Sequence, residues 1–298
     1  MNSFKLLFLP FLAFQRVIRV MDLIDVFELS QISKRMFAKI RLAKRKILPV
    51  QIAIRSEERS MRISDYLDRE GEGKNYKLNF TFEFKLHIIK RELKGYNIGI
   101  SEKKGNDELY PGFIGPFQDN FLDFLGKLLQ LFAGSGIFLF LQKNQIPFIR
   151  SNKSFFRQHQ CTNLVLYRSL NVFLGRKEVK AALQYTKPTQ GFHLNCRINS
   201  IFNPKNAFNL PIFTGRRAWW VRIEHLLNMK CELCILENHD LTEKDMKRIV
   251  KHWLEGNLSP NFYRLGISKF EIEPDWKGFL EDVEYKQWDE KKRARYFM

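Results

Sequence analysis

The second half of this chain repeats one pattern, in which strand-like runs alternate with helix-like runs. Runs with an apolar residue at every second position are centred near Leu139, Leu166, Leu194 and Val221, at intervals of 27 or 28 residues. Between them, apolar residues recur at steps of three and four, as across residues 117–132. Parallel strands need a long crossover connection, which is usually a helix. The pattern therefore predicts stacked strand–helix units around a mixed or parallel sheet.

A further unit of this kind contains the best-defined helix of the chain. Thr242 is placed as its N-cap, and Asp245 follows three residues later, where it can return a hydrogen bond. The apolar stripe of this helix is formed by Met246, Ile249, Val250, Trp253 and Leu254. We expect the whole stripe, including Trp253, to be buried. Strand-like runs at 231–236 and 263–267 flank the helix.

The first fifty residues show a different pattern, that of three short helices. Pro10 suits the first turn of a helix, and apolar residues then recur at helical steps from Phe11 to Met21. Asp22 is a good N-cap for a second helix, and a third helix follows with Met36 on its apolar side. Three helices of this size bury too little apolar surface to be stable alone. We therefore expect them either to dock a partner protein or to form a helical cap on the main domain.

The residues of this N-terminal segment occur in the order of a known module. They are Leu9-Pro10, Ile18, Met21-Asp22, Asp25, Leu29-Ser30 and Ser33-Lys34-Arg35. Over residues 5–46 the chain resembles the F-box, which docks a Skp-type adaptor and through it a cullin scaffold. Met36 stands where many F-boxes carry a Trp. The resemblance implies adaptor-binding roles for Leu9, Pro10, Phe14, Ile18, Met21, Leu29, Ile32 and Met36.

A second resemblance lies towards the other end of the chain. The residues that carry it are those from Trp220 to Cys231, Leu241 to Asp245, His252-Trp253 and Leu265 to Ile267. Over about residues 195–268 the chain is similar to the type-two F-box-associated domain, which follows an F-box in a large nematode family. This resemblance implies a partner-recognition domain, without a set of binding residues to carry over.

These patterns together predict an α+β protein with two parts. A small three-helix F-box is expected at residues 4–50, followed by a linker and β-strand region at 51–110. A larger α/β recognition domain is expected at 111–298. Because the interval between strands lies within the range of leucine-rich-repeat units, one form of this domain would be leucine-rich-repeat-like.

The two resemblances imply a non-catalytic role in the ubiquitin-conjugation pathway. They describe the substrate-recognition subunit of a cullin-RING, SCF-type ubiquitin ligase, which holds a Skp-type adaptor at one end and a target protein at the other. Such a receptor acts by bringing its target close to the charged enzyme of the ligase.

The charge of the chain bears on the kind of target. The formal net charge is +18, and residues 111–230 alone hold sixteen Lys and Arg against four Asp and Glu. Such a surplus suits an acidic or phosphorylated protein, and it equally suits nucleic acid, so a nucleic-acid-binding protein is the alternative function. The candidate target-binding residues are Arg150, Arg157, Arg168, Arg176, Arg216 and Arg217.

Other function classes are disfavoured by what the sequence contains. No spacing typical of a catalytic or nucleotide site is recognisable. Cys231-x-x-Cys234 has the spacing of a zinc or redox motif, but the segment is strand-like, and residues three apart on a strand point to opposite faces and cannot share a metal. We therefore expect no enzyme activity, metal or cofactor. Four cysteines in a chain of this length do not form a disulfide framework, which favours the cytoplasm or nucleus. Residues 6–14 could pass for a secretory signal, but Pro10 interrupts the run and no small-residue cleavage site follows. No uncharged apolar run reaches eighteen residues, so we expect no membrane span.

Overall fold

The structure is a computed structural model of the chain. It describes residues 6–54, 58–64, 75–81, 91–93, 98–100, 117–132, 134, 136–167, 173–198 and 207–268. No helix among these residues is long and apolar enough to cross a membrane.

Helices and strands alternate through most of the described chain. The α-helices are α1 (Phe11–Val20), α2 (Leu23–Gln31), α3 (Lys34–Leu42), α4 (Phe117–Leu131), α5 (Ile146–Ser151), α6 (Lys153–Gln158), α7 (Arg176–Thr186), α8 (Ile223–Leu227) and α9 (Glu243–Leu254). The strands are β1 (Val50–Ile54), β2 (Glu58–Ser64), β3 (Asn75–Thr81), β4 (Arg91–Leu93), β5 (Ile98–Ile100), β6 (Ile137–Gln142), β7 (Cys161–Tyr167), β8 (Gly191–Asn195), β9 (Ile212–Gly215), β10 (Leu233–Glu237) and β11 (Arg264–Ser268). The sequence-based expectation of an α+β protein with three N-terminal helices is confirmed.

One large sheet organises the described part of the chain. Its strand order is β11-β10-β9-β8-β7-β6-β1-β2-β3, and the seven strands from β11 to β1 are parallel. β2 and β3 extend the sheet as antiparallel strands, so it is mixed. From β6 to β11 every new strand is added beside the previous one without a reversal of order. Because such crossovers are right-handed, the helices between these strands lie on the same face of the sheet.

The main hydrophobic core lies between this face and the helices. Along β6 the residues alternate between buried and half-buried, and Ile137, Leu139 and Leu141 belong to the core. α4 contributes Phe121 and Leu125 to the same core. The alternate strand residues point to the opposite face, as the two-residue period of a strand requires. We call this second face the helix-free face.

The N-terminal helices are joined to the rest of the fold through α4. Phe27 of α2 and Phe124 of α4 have ring centroids 4.8 Å apart, and both side chains are almost completely buried. β1 follows the helices directly and lies inside the sheet, between β6 and β2. The helices therefore share the hydrophobic core of the large sheet, and one face of the unit is packed against the chain itself.

Two expectations from the sequence are wrong. A strand was expected around Val221, but the fourth strand of the series is β9, and residues 219–220 form a turn before α8. Val221 and Ile223 are buried there without forming a strand, beside Trp220, which packs against Phe208 and Phe213. Trp253 was expected to be buried, but its side chain is 52% exposed.

The burial of α9 shows why Trp253 is exposed. Met246 and Ile249 are buried, Val250 is half-buried, and Trp253 and Leu254 are exposed. Met246, Ile249, Val250 and Trp253 face the same side of α9. The rest of the fold covers this side only over the first two turns of the helix. The apolar period identified the correct face of the helix but not the length over which that face is covered.

Candidate functional site

The three N-terminal helices expose large apolar side chains. Among the described residues, seven of the eleven large apolar side chains that are exposed lie between residues 8 and 48. Leu12 is 77% exposed and Ile32 is 71% exposed. We define the N-terminal apolar surface as Phe8, Phe11, Leu12, Val20, Ile32 and Leu42. Exposed apolar surface concentrated on one small unit is typical of a protein-binding site.

Lys39 fixes the chain that leads into α1 against α3. Its Nζ donates hydrogen bonds to the carbonyl oxygens of Leu7 and Leu9, at 2.6 and 3.1 Å. The same ammonium group lies 4.6 Å from the centroid of the Phe14 ring, within range of a cation–π contact. These contacts hold the segment that carries Phe8 beside the helices, so this part of the surface has a defined position.

Arg45 holds the other end of α1. Its side chain is buried, and Nη1 donates to the carbonyl oxygens of Ile18 and Met21, at 3.0 and 2.7 Å. The last carbonyl groups of a helix have no partner inside it, and the helix C-terminus carries partial negative charge. The buried guanidinium therefore satisfies backbone groups that would otherwise lack a partner and links α1 to the chain entering β1.

The structure divides the predicted adaptor contacts by burial. Phe14, Ile18 and Met36 are buried, Leu9, Met21 and Leu29 are half-buried, and Pro10 and Ile32 are exposed. The buried members support the helices, whereas Phe8, Phe11, Leu12 and Leu42, which sequence reasoning missed, are exposed. The sequence does indicate that Leu12 is exposed, because Leu12 shares a face of α1 with Arg16 and Arg19 and lies outside the apolar stripe.

A group of aromatic side chains occupies the helix-free face of the sheet. We define the aromatic platform as Phe138 and Phe140 of β6, Tyr167 of β7 and His193 of β8, all half-buried. The Phe138 ring is stacked against Phe140 at a centroid distance of 5.0 Å and against His193 at 5.8 Å. Tyr167 meets Phe140 edge-on at 6.4 Å. None of these four side chains belongs to the main core.

Hydrogen bonds fix His193 within the platform. Its Nδ1 lies 2.8 Å from Thr214 Oγ1, and its Nε2 lies 3.4 Å from Asn163 Oδ1. Burial lowers the pKa of His193 below its ordinary value. The ring is therefore neutral near pH 7. A proton on Nε2 suits the Asn163 carbonyl oxygen and leaves Nδ1 to accept from the Thr214 hydroxyl.

The predicted target-binding arginines fall into two places. Arg150 on α5 and Arg157 on α6 are exposed on the helix side, and Arg176 is exposed at the start of α7. Arg216 and Arg217 follow β9 at the carboxyl end of the parallel strands, where Arg216 is exposed and Arg217 is half-buried. Arg168 lies outside the described residues. The structure therefore separates the helix-side arginines from those beside the sheet.

The cysteines do not form a site in the described part of the chain. All four are free and buried. Burial raises the pKa of Cys161 and of Cys231 to about 12, so both remain thiols at neutral pH. No group of three or more potential metal ligands occurs among the described residues.

Comparison with known protein families gives a match in the region that forms the last strands of the sheet. Residues 200–267 match the model of the family described as F-box associated. This part of the chain is therefore similar to an F-box-associated domain. The match includes β9, α8, β10, α9 and all but the last residue of β11. In this domain Trp220 is fully buried beside Phe208, Phe213 and His225, so its main role is structural.

A relative extends the comparison to the whole chain. An uncharacterized protein of Caenorhabditis elegans is 24% identical over 319 aligned positions, which cover 99% of this chain and 68% of that protein. No solved structure matches the chain. The expected nematode-type protein with an F-box-associated domain is confirmed.

Proposed function

We propose that this protein is the substrate-recognition subunit of a cullin-RING, SCF-type ubiquitin ligase. The observation that carries the proposal is the F-box-associated domain at residues 200–267, preceded in the same chain by a three-helix unit with F-box-like sequence order. The family indicates a recognition role in general. We propose, in addition, that the chain binds a Skp-type adaptor, through it a cullin scaffold, and a target protein.

The N-terminal apolar surface is the proposed docking site for a Skp-type adaptor. α2 and α3 pack against α4, whereas Leu12, Ile32 and Leu42 remain exposed. An apolar surface of this kind gains free energy when a partner removes it from water, by roughly 25 cal/mol for each Å² buried. Lys39 and Arg45 hold the helices in place before binding, which lowers the entropy cost of docking.

The rest of the chain is the proposed receptor for a target protein. Its strands are added in sequence order without reversal, which we interpret as leucine-rich-repeat-like stacking. An acidic or phosphorylated target would suit the basic middle of the chain, including Arg150, Arg157, Arg168, Arg176, Arg216 and Arg217. The protein would contribute proximity rather than chemistry, in the cytoplasm or nucleus where ligases of this type act.

The test is binding of the full chain to a purified Skp-type adaptor. Leu12→Asp combined with Leu42→Asp places two charges in the proposed interface, and we expect at least a tenfold loss of affinity because a buried unpaired charge is costly. Leu254→Asp is the matched control, since Leu254 is 59% exposed on α9, outside the N-terminal unit. It should bind like the parent.

Two results would contradict the proposal. One is the absence of adaptor binding by the parent chain. The other is equal binding by the double variant, with the circular dichroism spectrum showing that its helices are intact. Equal losses in the double variant and the Leu254 control would indicate a nonspecific effect of added charge and would also count against the proposed surface.

A further inference from the structure

The centre of the helix-free face is apolar across several neighbouring strands. The register places two apolar groups on this face, one on β6 and β7 and one on β9 and β10, with Gly191 and His193 of β8 between them. The members of the two groups are Phe138, Phe140 and Val165, and Ile212, Leu233 and Ile235. Val165 is 4% exposed yet does not belong to the main core, so it is covered from this side. This apolar centre is thus a second layer of packing, separate from the core beneath the helices.

Charged residues border this apolar centre. Asn195 ends β8 on the helix-free face, and the alternation brings Arg197 to the same side, where it is exposed. Arg216 continues β9, and its N–H donates to the carbonyl oxygen of Leu194 at 3.1 Å. This bond places Arg216 beside the end of β8. Arg197 and Arg216 therefore follow the ends of two adjacent strands, at one border of the face.

The balance of charge on this face is positive. Among the described residues of β1, β6 to β11 and their immediate ends, the alternation places Arg197, Arg216 and Arg264 on it, against the single carboxylate of Glu237. A partner that covers the apolar centre must come to rest beside these arginines. Charge complementarity at the border therefore favours a partner with negative charge.

The side chains of this face favour a protein partner over a nucleic acid. Phe138 stacks on Phe140 and on His193, with interplanar angles of 20° and 13°, so these rings contact one another. Nucleotide bases bind aromatic residues by stacking on open ring faces. On β9 and β10 this face instead presents the aliphatic residues Ile212, Leu233 and Ile235, which suit an apolar side chain.

We propose that the aromatic platform, with Arg197 and Arg216 at its border, binds an acidic protein segment that inserts a large apolar side chain into the apolar centre of the face. The carboxylates of this segment contact the two arginines, and the apolar residue packs against Phe138 and Phe140. This rests on the proposed receptor function and adds to it the surface and the chemistry of the target. No phosphate group is required.

The test is selection of peptides from a random twelve-residue display library on the immobilised full chain. The expected consensus is acidic and contains one large apolar residue, and its affinity is then measured with a synthetic peptide. Arg197→Glu with Arg216→Glu should weaken binding at least tenfold. Phe140→Thr, which keeps a residue suited to a strand, should also weaken it at least tenfold.

Matched variants separate the proposed surface from general charge attraction. Arg248→Glu with Lys251→Glu changes the net charge by the same amount, but it does so at two exposed positions of α9, on the helix side of the sheet, and it should alter affinity less than twofold. Trp253→Thr removes an exposed aromatic side chain on α9 and should likewise have no effect. Thermal unfolding of each variant checks that the sheet is intact.

Three outcomes would overturn the proposal. They are the absence of an acidic consensus, equal loss of binding in the helix-side charge variant on α9, and tighter binding of a twelve-nucleotide single strand of oligo-dT or oligo-U that competes with the peptide. Adaptor binding is measured on the same samples, so that the proposed ligase role and the proposed peptide-binding platform are tested separately. Adaptor binding without peptide binding would remove only the platform, and peptide binding without adaptor binding would remove only the ligase role.

Discussion

Replacement of Arg45 by Met tests whether the buried guanidinium holds the N-terminal unit together. The Met side chain retains most of the aliphatic volume but removes the two hydrogen bonds to Ile18 O and Met21 O. Arg45 is only 6% exposed, so water cannot easily replace these bonds. A hydrogen bond from a charged donor contributes roughly 1.5–3 kcal/mol, and a cation at a helix C-terminus adds up to about 1 kcal/mol.

Desolvation of the guanidinium opposes these gains, and bonds to a single group are not fully additive. We therefore expect Arg45→Met to lower the free energy of unfolding by about 3 kcal/mol. Since larger chains lose roughly 3 kcal/mol or more per molar urea, the urea midpoint should fall by about 1 M if the fold unfolds as one unit.

The assay must report on the N-terminal helices. All five Trp residues lie after residue 218, so Trp fluorescence would report on the opposite end of the chain. Far-ultraviolet circular dichroism, together with hydrogen exchange of the amides between Val17 and Met21, covers the relevant region. Arg41→Met is the matched control, because Arg41 is exposed on α3, and it should change stability by less than about 0.5 kcal/mol.

An unchanged or increased midpoint for Arg45→Met would refute the reasoning. It would show that the cost of burying the guanidinium equals or exceeds the hydrogen bonds it makes, as happens for some buried charges. Equal losses in Arg45→Met and Arg41→Met would show that general charge, rather than the two carbonyl contacts, determines the effect.

Two further predictions concern the F-box-associated domain and pH. Trp220→Ala should destabilise the protein by about 3–5 kcal/mol, the usual cost of truncating a buried large aromatic side chain. Trp253→Ala should cost about 1 kcal/mol or less, because the Trp253 side chain is half in solvent. Equal shifts in the melting temperature of the two variants would contradict this difference. Burial lowers the pKa of His193 in the folded protein, while the unfolded chain takes up protons near pH 6.5, so stability should be greatest above that pH and fall as the pH decreases below it. His193→Gln should lose less stability than the parent between pH 7.5 and 5, and an identical pH profile for both proteins would contradict the assignment.

The local signals in the sequence predicted the helix starts well. Asp22 caps α2 by accepting from the Ile24 N–H at 2.9 Å, and Ser33 caps α3 by accepting from the Met36 N–H at 3.1 Å. Thr242 and Asp245 form the predicted capping box at the start of α9. Caps depend on residues within one turn of each other, so a single sequence contains the information needed to find them.

Features that depend on distant residues could not be predicted in the same way. Phe138 and His193 are far apart in sequence and meet only because the register pairs β6 with β7 and β7 with β8. The exposure of Trp253 depends on where the packed layer ends, which the helical period does not contain. The N-terminal apolar surface could be found only in part, because periodicity does not reveal that α4 packs against α2 and α3.

A salt titration is the most direct test of adaptor docking by this protein. The affinity of the full chain for a purified Skp-type adaptor is measured between 50 and 500 mM salt, beside its affinity for single-stranded RNA. Docking through apolar side chains predicts an adaptor affinity that changes by less than about threefold, since screening acts on charges and not on apolar contacts. If the chain shows no affinity for the adaptor but binds RNA with an affinity that falls steeply as salt rises, it is a nucleic-acid-binding protein and the ligase account is wrong.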